Sequence, residues 1–518
     1  MGAGREEGGR SKCKSNEASA SPGLKRATDP FHVKPEHERT DTTQRCPWRV
    51  LRGRTQNMLT LNPTDMSKSA AQTRHTTGLV PGRETMTDLR PSENESRGAG
   101  CPAGFARRAF LQGTAAAGVV GAVGTSLLGS DRAYAAAAAN GDGAHPKAIP
   151  FHGEHQAGIL TPPQTTGVFA SFDVTAANRS ELTQLFRTLT ARARFLTAGG
   201  TPPKAPPGSP PTDSLILGPT VVPDDLTITV GVGASLFDSR YGLGPRKPVQ
   251  LEAMTMKPFQ HDELEPALCD GDILLQVCAA HRDTTVHALL DILGHTKAWM
   301  KPRWRLECQR NRPRPSGTPR DWFGFKDGTT QPDTNDAGEM KQLVWVQPHT
   351  AEPAWAAGGT YQALRIVHFK LEAWQQVPVA QQERIFGRRK ATGAPMYATG
   401  PNASQDFDPV YTNDPQGLIT ALNSHIRLAN PQTPETASTS TILRRSYDYE
   451  GNLDVNGVFN MGHGFCCFQR ELKTYTTMQT RLEGEALVPF ISPRGGGYFF
   501  ALPGVRNDQD YYASGLLA

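Results

Sequence analysis

A short acidic loop in the middle of the sequence is the first candidate for chemistry. Residues 323–333 place Asp327 between Gly324 and Gly328, in the pattern Gly-x-x-Asp-Gly. Glycine allows backbone conformations and close approaches that a side chain forbids, so this pattern is typical of a loop that presses its backbone and one carboxylate against a bulky, flat group. An Asx-type turn that closes a strand explains the same pattern without chemistry. The loop alone leaves both interpretations open.

Two later stretches contribute an imidazole and a guanidinium. Residues 424–431 have the sequence Ser-His-Ile-Arg-Leu-Ala-Asn-Pro, which predicts His425 at the end of a helix. Residues 442–447 have the sequence Ile-Leu-Arg-Arg-Ser-Tyr, which places Arg444 19 residues after His425. A histidine at a helix end more often caps the helix or faces solvent than binds a ligand, and an arginine pair is commonly a solvated face. The three stretches gain weight only when they are considered together.

The elements that must position these residues alternate in the same order twice. In the first half the apolar pattern predicts helices at 178–197 and 284–293, and strands at 166–174, 226–236, 273–279, 304–308 and 322–325. In the second half it predicts helices at 374–387, 415–425 and 472–482, and strands at 359–371, 464–468 and 498–502. In this scheme the strand at 322–325 leads into the Asp327 loop, and the helix at 415–425 ends at His425.

This order of elements predicts an α+β fold. Mixed strands and helices that repeat in this way are typical of two ferredoxin-like halves, each a βαββαβ unit. We expect the first half to span residues 153–340 and the second to span residues 358–518, with a link rich in Pro, Gly and Ala between them.

The three stretches, taken in this order, resemble the dye-decolourising (DyP-type) heme peroxidases. The similarity is to the subfamily that is exported by the twin-arginine route and includes the deferrochelatase/peroxidase of ferrous-iron uptake. That subfamily has a Gly-Phe-Lys-Asp-Gly-Thr loop, a Ser-His-Ile-Arg-Leu-Ala-Asn-Pro stretch and an Ile/Met-Leu-Arg-Arg stretch at similar spacing. The resemblance also includes residues 153–159, 481–486 and 495–500. It covers nearly all of residues 153–504.

The resemblance implies a role for each of the three principal residues. His425 would be the proximal ligand of the iron of heme b, with its other ring nitrogen held by an acceptor, for which Glu485 is the candidate. Asp327 would take a proton from one peroxide oxygen and return it to the other. Arg444 would supply a fixed positive charge for the negative oxygen that develops during O–O cleavage. The heme would lie in the C-terminal half.

Further heme contacts are implied in the same two loops, at Gly328, Thr329, Thr330, Asn430, Pro431 and Gln432. The first three would touch the heme, and the last three would lie near its propionates. Relatives commonly carry Arg where Gln432 stands, so one propionate partner is missing here. Thr330 and Gln331 also replace a usual Ala-Asn, and Ser446 replaces a usual Gly.

The implied function is that of a heme-dependent peroxidase, which reduces hydrogen peroxide and oxidises bulky donors such as dyes in one-electron steps. Two alternatives stay open. A deferrochelatase would release iron from heme in iron uptake, and a non-catalytic carrier would bind heme without turnover. Asp327 and Arg444 argue against the carrier, which needs neither an acid nor a cation on the open face. The expected partners are peroxide and a bulky reductant, with an iron-uptake system and a homo-oligomer as further candidates.

The positive charge of the chain is concentrated in its first 135 residues. The chain has 55 Lys+Arg and 50 Asp+Glu, of which residues 1–135 hold 20 and 13. The 35 basic and 37 acidic residues that remain give residues 136–518 no basic excess. This balance provides no electrostatic basis for binding nucleic acid.

The first 135 residues are expected to be a leader and an export signal. Residues 1–105 are polar and Arg-rich, a composition typical of disorder, and a translation start at Met86 would remove most of them. Residues 106–112 resemble a twin-arginine signal, and an apolar run and the cleavage pattern at 133–135 follow. A buried Ala-rich helix is the alternative for this signal segment, residues 106–135. We expect export to the periplasm or the exterior, with no membrane span after removal of the signal.

The cysteine pattern predicts buried free thiols. Five cysteines follow the expected cleavage site: Cys269, Cys278, Cys308, Cys466 and Cys467. No Cys-x-x-Cys pattern occurs, so neither a zinc site nor a thioredoxin-type site is expected.

Overall fold

A computed structural model of the protein describes residues 147–437, 439–453 and 457–518, and the expected leader (1–105) and export signal (106–135) lie outside them. The strands in these residues are β1 Thr166–Val174, β2 Thr227–Gly233, β3 Ile273–Ala279, β4 Met300–Gln309, β5 Thr360–Phe369, β6 Leu443–Arg444, β7 Tyr447–Leu453, β8 Phe459–Gln469 and β9 Ile491–Ala501. The α-helices are α1 Arg179–Ala198, α2 Arg282–Thr296, α3 Ala337–Leu343, α4 Leu371–Gln375, α5 Val379–Phe386, α6 His425–Ala429, α7 Leu472–Leu482 and α8 Ser514–Leu517.

Each half of the fold is a ferredoxin-like unit. In the first half the antiparallel strand order is β2-β3-β1-β4, and α1 and α2 follow β1 and β3. In the second half the order is β9-β5-β8-β7, with α4 and α5 after β5 and α7 after β8. The halves pair at β2–β9 and at β4–β7, so the eight long strands are connected in a closed ring. The expected α+β fold of two ferredoxin-like halves is confirmed.

Helix α1 illustrates how the sequence builds the first half. Asn178 caps the helix, because its side-chain oxygen accepts a hydrogen bond of 3.0 Å from the backbone N–H of Glu181. The apolar residues on one face of the helix are fully buried in the main core: Leu182, Leu185, Phe186 and Leu189. Spacings of three and four residues place these side chains on one stripe, which packs toward the sheet. The helix expected at 178–197 is therefore confirmed.

The strand expected at 322–325 is wrong. These residues form turns, and the nearest pairing is an isolated bridge between Arg320 and Lys326. Phe323 and Phe325 are buried in an aromatic cluster, where Phe323 stacks on Phe369 and Phe325 stacks on Phe386 at centroid distances of 3.9 and 4.0 Å. The aromatic residues therefore anchor a loop by packing, which a local strand pattern does not distinguish from β-structure.

The helix expected at 415–425 is also wrong. Asp414 accepts hydrogen bonds from the backbone N–H groups of Leu418, Ile419 and Thr420, so its carboxylate satisfies donors that a helix would pair internally. The short helix α6 begins at His425, which therefore lies at the start of a helix. The helix expected at 374–387 is interrupted before Val379, because Pro378 has no backbone N–H to donate.

The described cysteines are all buried and free, as expected: Cys269, Cys278, Cys308, Cys466 and Cys467.

The strand expected at 226–236 is shorter, since β2 ends at Gly233 and a 3-10 turn, Ala234–Phe237, follows it. In the part of the chain that the structure describes, no helix has the length and apolar character needed to cross a membrane.

Candidate active site

A cavity with about 1510 Å³ of empty space, its mouth included, lies mainly against the strands and helices of the second half of the fold. Side chains two residues apart on a strand point to the same face, and such pairs from three neighbouring strands form one wall. These wall residues are Val367 and Phe369 of β5, His463 and Phe465 of β8, and Ile491 and Pro493 of β9. Helices α5, α6 and α7 and the Asp327 loop form the other sides. Asp327, His425 and Arg444, which are 117 residues apart at most, all line this cavity.

His425 is held by Glu485, as the sequence suggested. Its Nδ1 lies 2.5 Å from Glu485 Oε2, and Glu485 is buried just beyond the end of α7. Burial acts to lower the pKa of His425, but the charge and the hydrogen bond of Glu485 outweigh it, so the pKa lies above its ordinary value. Because Nδ1 is engaged by Glu485, Nε2 is the nitrogen that remains for a ligand in the cavity.

Gly387 allows the end of α5 to lie against the start of α6. It has φ +85°, and a Cβ there would lie 2.7 Å from Ile426 Cγ1 and 2.9 Å from Ser424 Oγ. Both contacts are shorter than real Cβ atoms show, and the left-handed backbone itself favours glycine. This glycine therefore helps to set the position of His425, which stands between the two contacted residues.

The Asp327 loop is held to β6 by two hydrogen-bonded pairs. Arg444 Nη1 donates to Asp327 Oδ1 at 2.9 Å, and Arg444 Nη2 donates to the carbonyl oxygen of Thr330 at 2.8 Å. The amide side chain of Gln331 accepts from the backbone N–H of Arg444 and donates to its carbonyl oxygen. Gln331, a departure from the family pattern, thus links the loop to the strand as a neighbouring backbone would.

The charges around Asp327 keep it ionised. Burial alone would raise the pKa of Asp327, but the positive charges of Arg444, His463, Arg310 and His425 outweigh burial and hold the pKa below its ordinary value. A carboxylate in this state accepts a proton rather than donating one. The site therefore presents a base, with a cation beside it, to anything that the cavity binds.

The other residues expected to contact a heme divide into two groups. Thr329, Thr330, Asn430 and Gln432 line the cavity, whereas Gly328 and Pro431 are not among the described residues that line it. Gln432 adopts a left-handed backbone with φ +58°, and its N–H donates to Asn430 Oδ1. Gly328 has φ +97°, so its contribution is the turn that follows Asp327.

Arg388 was missed by the sequence reasoning. Only 3% of it is exposed, it lines the cavity, and its Nη1 donates to the carbonyl oxygens of Gly393 and Phe407. Its Nε has no hydrogen-bond partner among the described residues, although Nη2 reaches Thr330 Oγ1 at 3.4 Å. Burial lowers the pKa of Arg388 from its ordinary value, and the charges of Asp408 and Asp406, which act to raise it, do not outweigh burial. An Arg pair in the sequence gave no sign that one member faces a cavity.

His463 was also missed. Its ring lies between two carboxylates, with Nδ1 2.8 Å from Asp448 Oδ1 and Nε2 3.6 Å from Asp327 Oδ2. No motif marks this histidine, because its partners are set by the alignment of β8 with β7 and by the Asp327 loop.

Comparison with known proteins identifies the family. A sequence model described as Dyp-type peroxidase, N-terminal, matches residues 156–307, and one described as Dyp-type peroxidase, C-terminal, matches residues 318–506. The chain belongs to the DyP-type peroxidase family. It is therefore a heme-binding oxidoreductase that uses hydrogen peroxide and a reductant, as the sequence resemblance implied.

Individual relatives of this DyP-type peroxidase extend over both halves. A deferrochelatase of Escherichia coli (strain K12) is 49% identical over 374 residues, which are 71% of this chain and 87% of the relative. A DyP-type peroxidase structure from Cellulomonas bogoriensis has 31% identity and a TM-score of 0.62, and covers 72% of this chain and 98% of that chain. Ferric DtpA from Streptomyces lividans has 30% identity and a TM-score of 0.63, with 72% and 97% covered.

The cavity of this DyP-type peroxidase has the chemical features that a heme requires. One imidazole nitrogen remains for the iron, since Glu485 engages only Nδ1 of His425. Apolar side chains such as Phe369, Phe386 and Phe465 offer walls on which a flat ring can pack. The buried guanidinium of Arg388, with Nε unpartnered among the described residues, suits a propionate carboxylate. The residues present therefore fit the group.

Proposed function

We propose that the protein is an exported heme peroxidase that reduces hydrogen peroxide and oxidises bulky donors such as dyes in one-electron steps. One observation carries the proposal: an ionised Asp327, paired with Arg444, lines the same cavity as the His425–Glu485 pair. A heme carrier has no use for a base and a cation in this cavity. The twin-arginine pattern at 106–112 supports export to the periplasm or the exterior.

His425 and Glu485 would hold the iron. Glu485 accepts the Nδ1 proton of His425, which fixes the ring orientation and makes Nε2 a stronger electron donor to a metal. When bound, the heme supplies a redox-active iron and ring that exchange electrons with peroxide and with the reductant. Arg388 would hold one propionate and so take the place of the arginine that relatives carry at the position of Gln432.

Asp327 would move the proton. Arg444 engages Oδ1, which leaves Oδ2 as the oxygen that receives a proton from one end of peroxide and returns it to the other end. Arg444 keeps its position through Thr330 and provides positive charge where negative charge develops on the departing oxygen. The pair thus supplies proton transfer and charge stabilisation from fixed positions.

The test is the reaction of the heme-loaded protein with peroxide. Asp327→Asn keeps the hydrogen bond to Arg444 but has no oxygen that can accept a proton. We expect it to retain heme and to slow the peroxide reaction by roughly two to four orders of magnitude in stopped-flow absorption measurements. Asp333→Asn, an exposed change in the same loop, is the matched control and should react at the wild-type rate. If Asp327→Asn reacted as fast as the wild type, another group would be the acid–base group, with Arg444 as the first candidate.

A second candidate function is the release of iron from heme with the porphyrin left intact. The 49% identity to a protein named deferrochelatase favours it, and the cavity suits both reactions. Anaerobic incubation of the protein with heme separates them. Metal-free protoporphyrin would appear if iron is released, whereas heme would remain if the protein acts only with peroxide. An iron-uptake system would be the partner in iron release, and a bulky reductant would be the partner in the peroxidase reaction.

We also propose a homo-oligomer, which the sedimentation of the purified protein would test.

A further inference from the structure

His463 lies behind Asp327 in a position that strand alignment determines. It stands directly opposite Asp448 of β7 and Val367 of β5 in the sheet. Its Nδ1 is 2.8 Å from Asp448 Oδ1, and Asp448 Oδ2 accepts a hydrogen bond of the same length from Asn311 Nδ2. The far nitrogen, Nε2, is 3.6 Å from Asp327 Oδ2. The imidazole therefore lies between Asp448, which Asn311 holds in place, and Asp327, the proposed acid–base group.

This arrangement favours the doubly protonated ring. Each ring nitrogen faces a carboxylate, so a neutral imidazole would turn a lone pair toward a negative charge. Burial acts to lower the pKa of His463, but the hydrogen bond to Asp448 and the charges of Asp327, Asp448 and Asp321 outweigh it and raise the pKa to about 9. His463 thus carries a positive charge at neutral and acidic pH. Its ring also lies nearly parallel to that of Phe369, at a centroid distance of 6.0 Å and an interplanar angle of 14°.

We propose that His463, fixed by Asp448, is a positioning residue whose charged ring lies beside Oδ2 of Asp327 and keeps this carboxylate ionised at acidic pH. Arg444 hydrogen-bonds Oδ1 at 2.9 Å, whereas His463 Nε2, at 3.6 Å, acts on Oδ2 through its charge and leaves this oxygen available for a proton. The inference rests on the proposed acid–base role of Asp327, and it adds a group that acts through Asp327 and not on peroxide itself.

The other charged groups near this pair come from different elements. Arg310 follows β4, Asp321 precedes the Asp327 loop, and His425 begins α6. Burial, together with the charges of Asp448 and Asp327, raises the pKa of Asp321 to about 8, so Asp321 is neutral at acidic pH. Asp327 then faces more positive than negative charge, and His463 is the cation nearest to its Oδ2 among the described ion pairs.

A second, smaller cavity also borders Asp327 and His463. It has about 230 Å³ of empty space, and polar residues such as Arg310, Asn311 and Asp448 border it. Asp327, His463 and Asp321 line both cavities and so form the wall between them. Because most of each side chain is buried, salt and bulk water screen the interaction of His463 with Asp327 less than they screen ion pairs at the surface.

The proposal is tested by measuring the pKa of Asp327 in the heme-loaded protein. Infrared spectra recorded during an acid titration contain the carbonyl band of the protonated acid, which Asp327→Asn identifies by removing it. His463→Gln takes away the charge but keeps an amide that can bond Asp448. We expect it to raise the pKa of Asp327 by about 1–3 units and to move the acidic limb of the peroxide reaction to higher pH by the same amount. His463→Lys, which keeps a positive charge, should return both values toward those of the wild type.

A matched control and a measurement on the unchanged protein complete the test. His281 also pairs with an aspartate, Asp224, at 2.8 Å, but it belongs to the first half and lines neither cavity. His281→Gln should leave the pKa of Asp327 unchanged. An unshifted pKa in His463→Gln, or equal shifts in the Gln and Lys variants, would overturn the proposal. So would a wild-type Asp327 that takes up its proton above its ordinary pKa of about 3.9, even if no variant folds. If the wild type does not react with peroxide, the proposed function fails, but the infrared titration still decides the coupling.

Discussion

At the scale of single residues, the sequence predicts a functional residue only where that residue lies within a recognisable motif. Asp327, His425 and Arg444 each stand in a stretch of four or more residues that resembles a family motif, and the structure brings all three to one cavity. His463 and Arg388 have no such context. The role of His463 depends on Asp448 of the neighbouring strand and on Asp327, which is distant in the chain. The role of Arg388 depends on its burial beside the cavity. Residues of this kind need strand register and burial before they can be recognised.

Arg388 supports a prediction about heme affinity. Arg388→Gln removes a buried cation that is placed to meet a propionate, and hydrogen bonds to charged groups contribute about 1.5–3 kcal/mol. We therefore expect heme to bind about tenfold to a hundredfold more weakly, as measured by titration of the Soret band. His425→Ala, which removes the proposed iron ligand, serves for comparison, and its Soret band should be lost or shifted.

The neighbouring arginine provides the control for this change. Arg389 donates to the carbonyl oxygens of Met396 and Ala398 and does not line the cavity, so Arg389→Gln should bind heme as the wild type does. Equal affinities in the two Gln variants would exclude a propionate contact for Arg388.

At the scale of elements, apolar periodicity predicts those that pack by a repeating face. Strands β1 and β3 and helix α7 have the expected bounds, and α1 differs by one residue at each end. The elements around the site follow other rules. Residues 322–325 are aromatic because they anchor a loop, and residues 415–424 form turns because Asp414 takes up their N–H groups. Strand β7 was missed because the alternation of Tyr447 and Tyr449 with Asp448 and Glu450 covers only four residues, and pairing with β8 stabilises the strand.

The junction of α5 and α6 supports a prediction about how an element positions His425. Gly387→Ala forces a side chain onto a left-handed backbone and against Ile426 and Ser424. We expect a loss of about 1–3 kcal/mol in the free energy of unfolding, measured with urea, together with weaker heme binding. Gly294→Ala is the matched control, because Gly294 lies inside α2 with nothing within 4 Å of the new Cβ. It should stabilise the protein by roughly 0.5–1 kcal/mol, and a similar gain at Gly387 would mean that this junction is not strained.

At the scale of the whole molecule, the two halves complete each other. The repeated order of elements predicts each ferredoxin-like unit, but it does not predict that β2 pairs with β9 and β4 with β7. Those pairings join strands that are far apart in the sequence, so no local pattern encodes them. They also cover part of the strand edges that each half would present alone, and unpaired strand edges favour aggregation.

The closed ring of strands predicts that the protein unfolds as one unit, although the second half forms most of the heme cavity. Separating the halves would expose strand edges and the buried face between them, so neither half should survive the loss of the other. Heme binds only the folded state, and its binding energy should therefore stabilise both halves equally. Calorimetry should give one transition that moves to higher temperature when heme is added. Heme binding should slow the exchange of backbone amide hydrogens to a similar degree in β3 of the first half and in β8 of the second half. Two transitions, of which heme shifts only one, would show that the halves fold independently and that the pairings at β2–β9 and β4–β7 contribute little to stability.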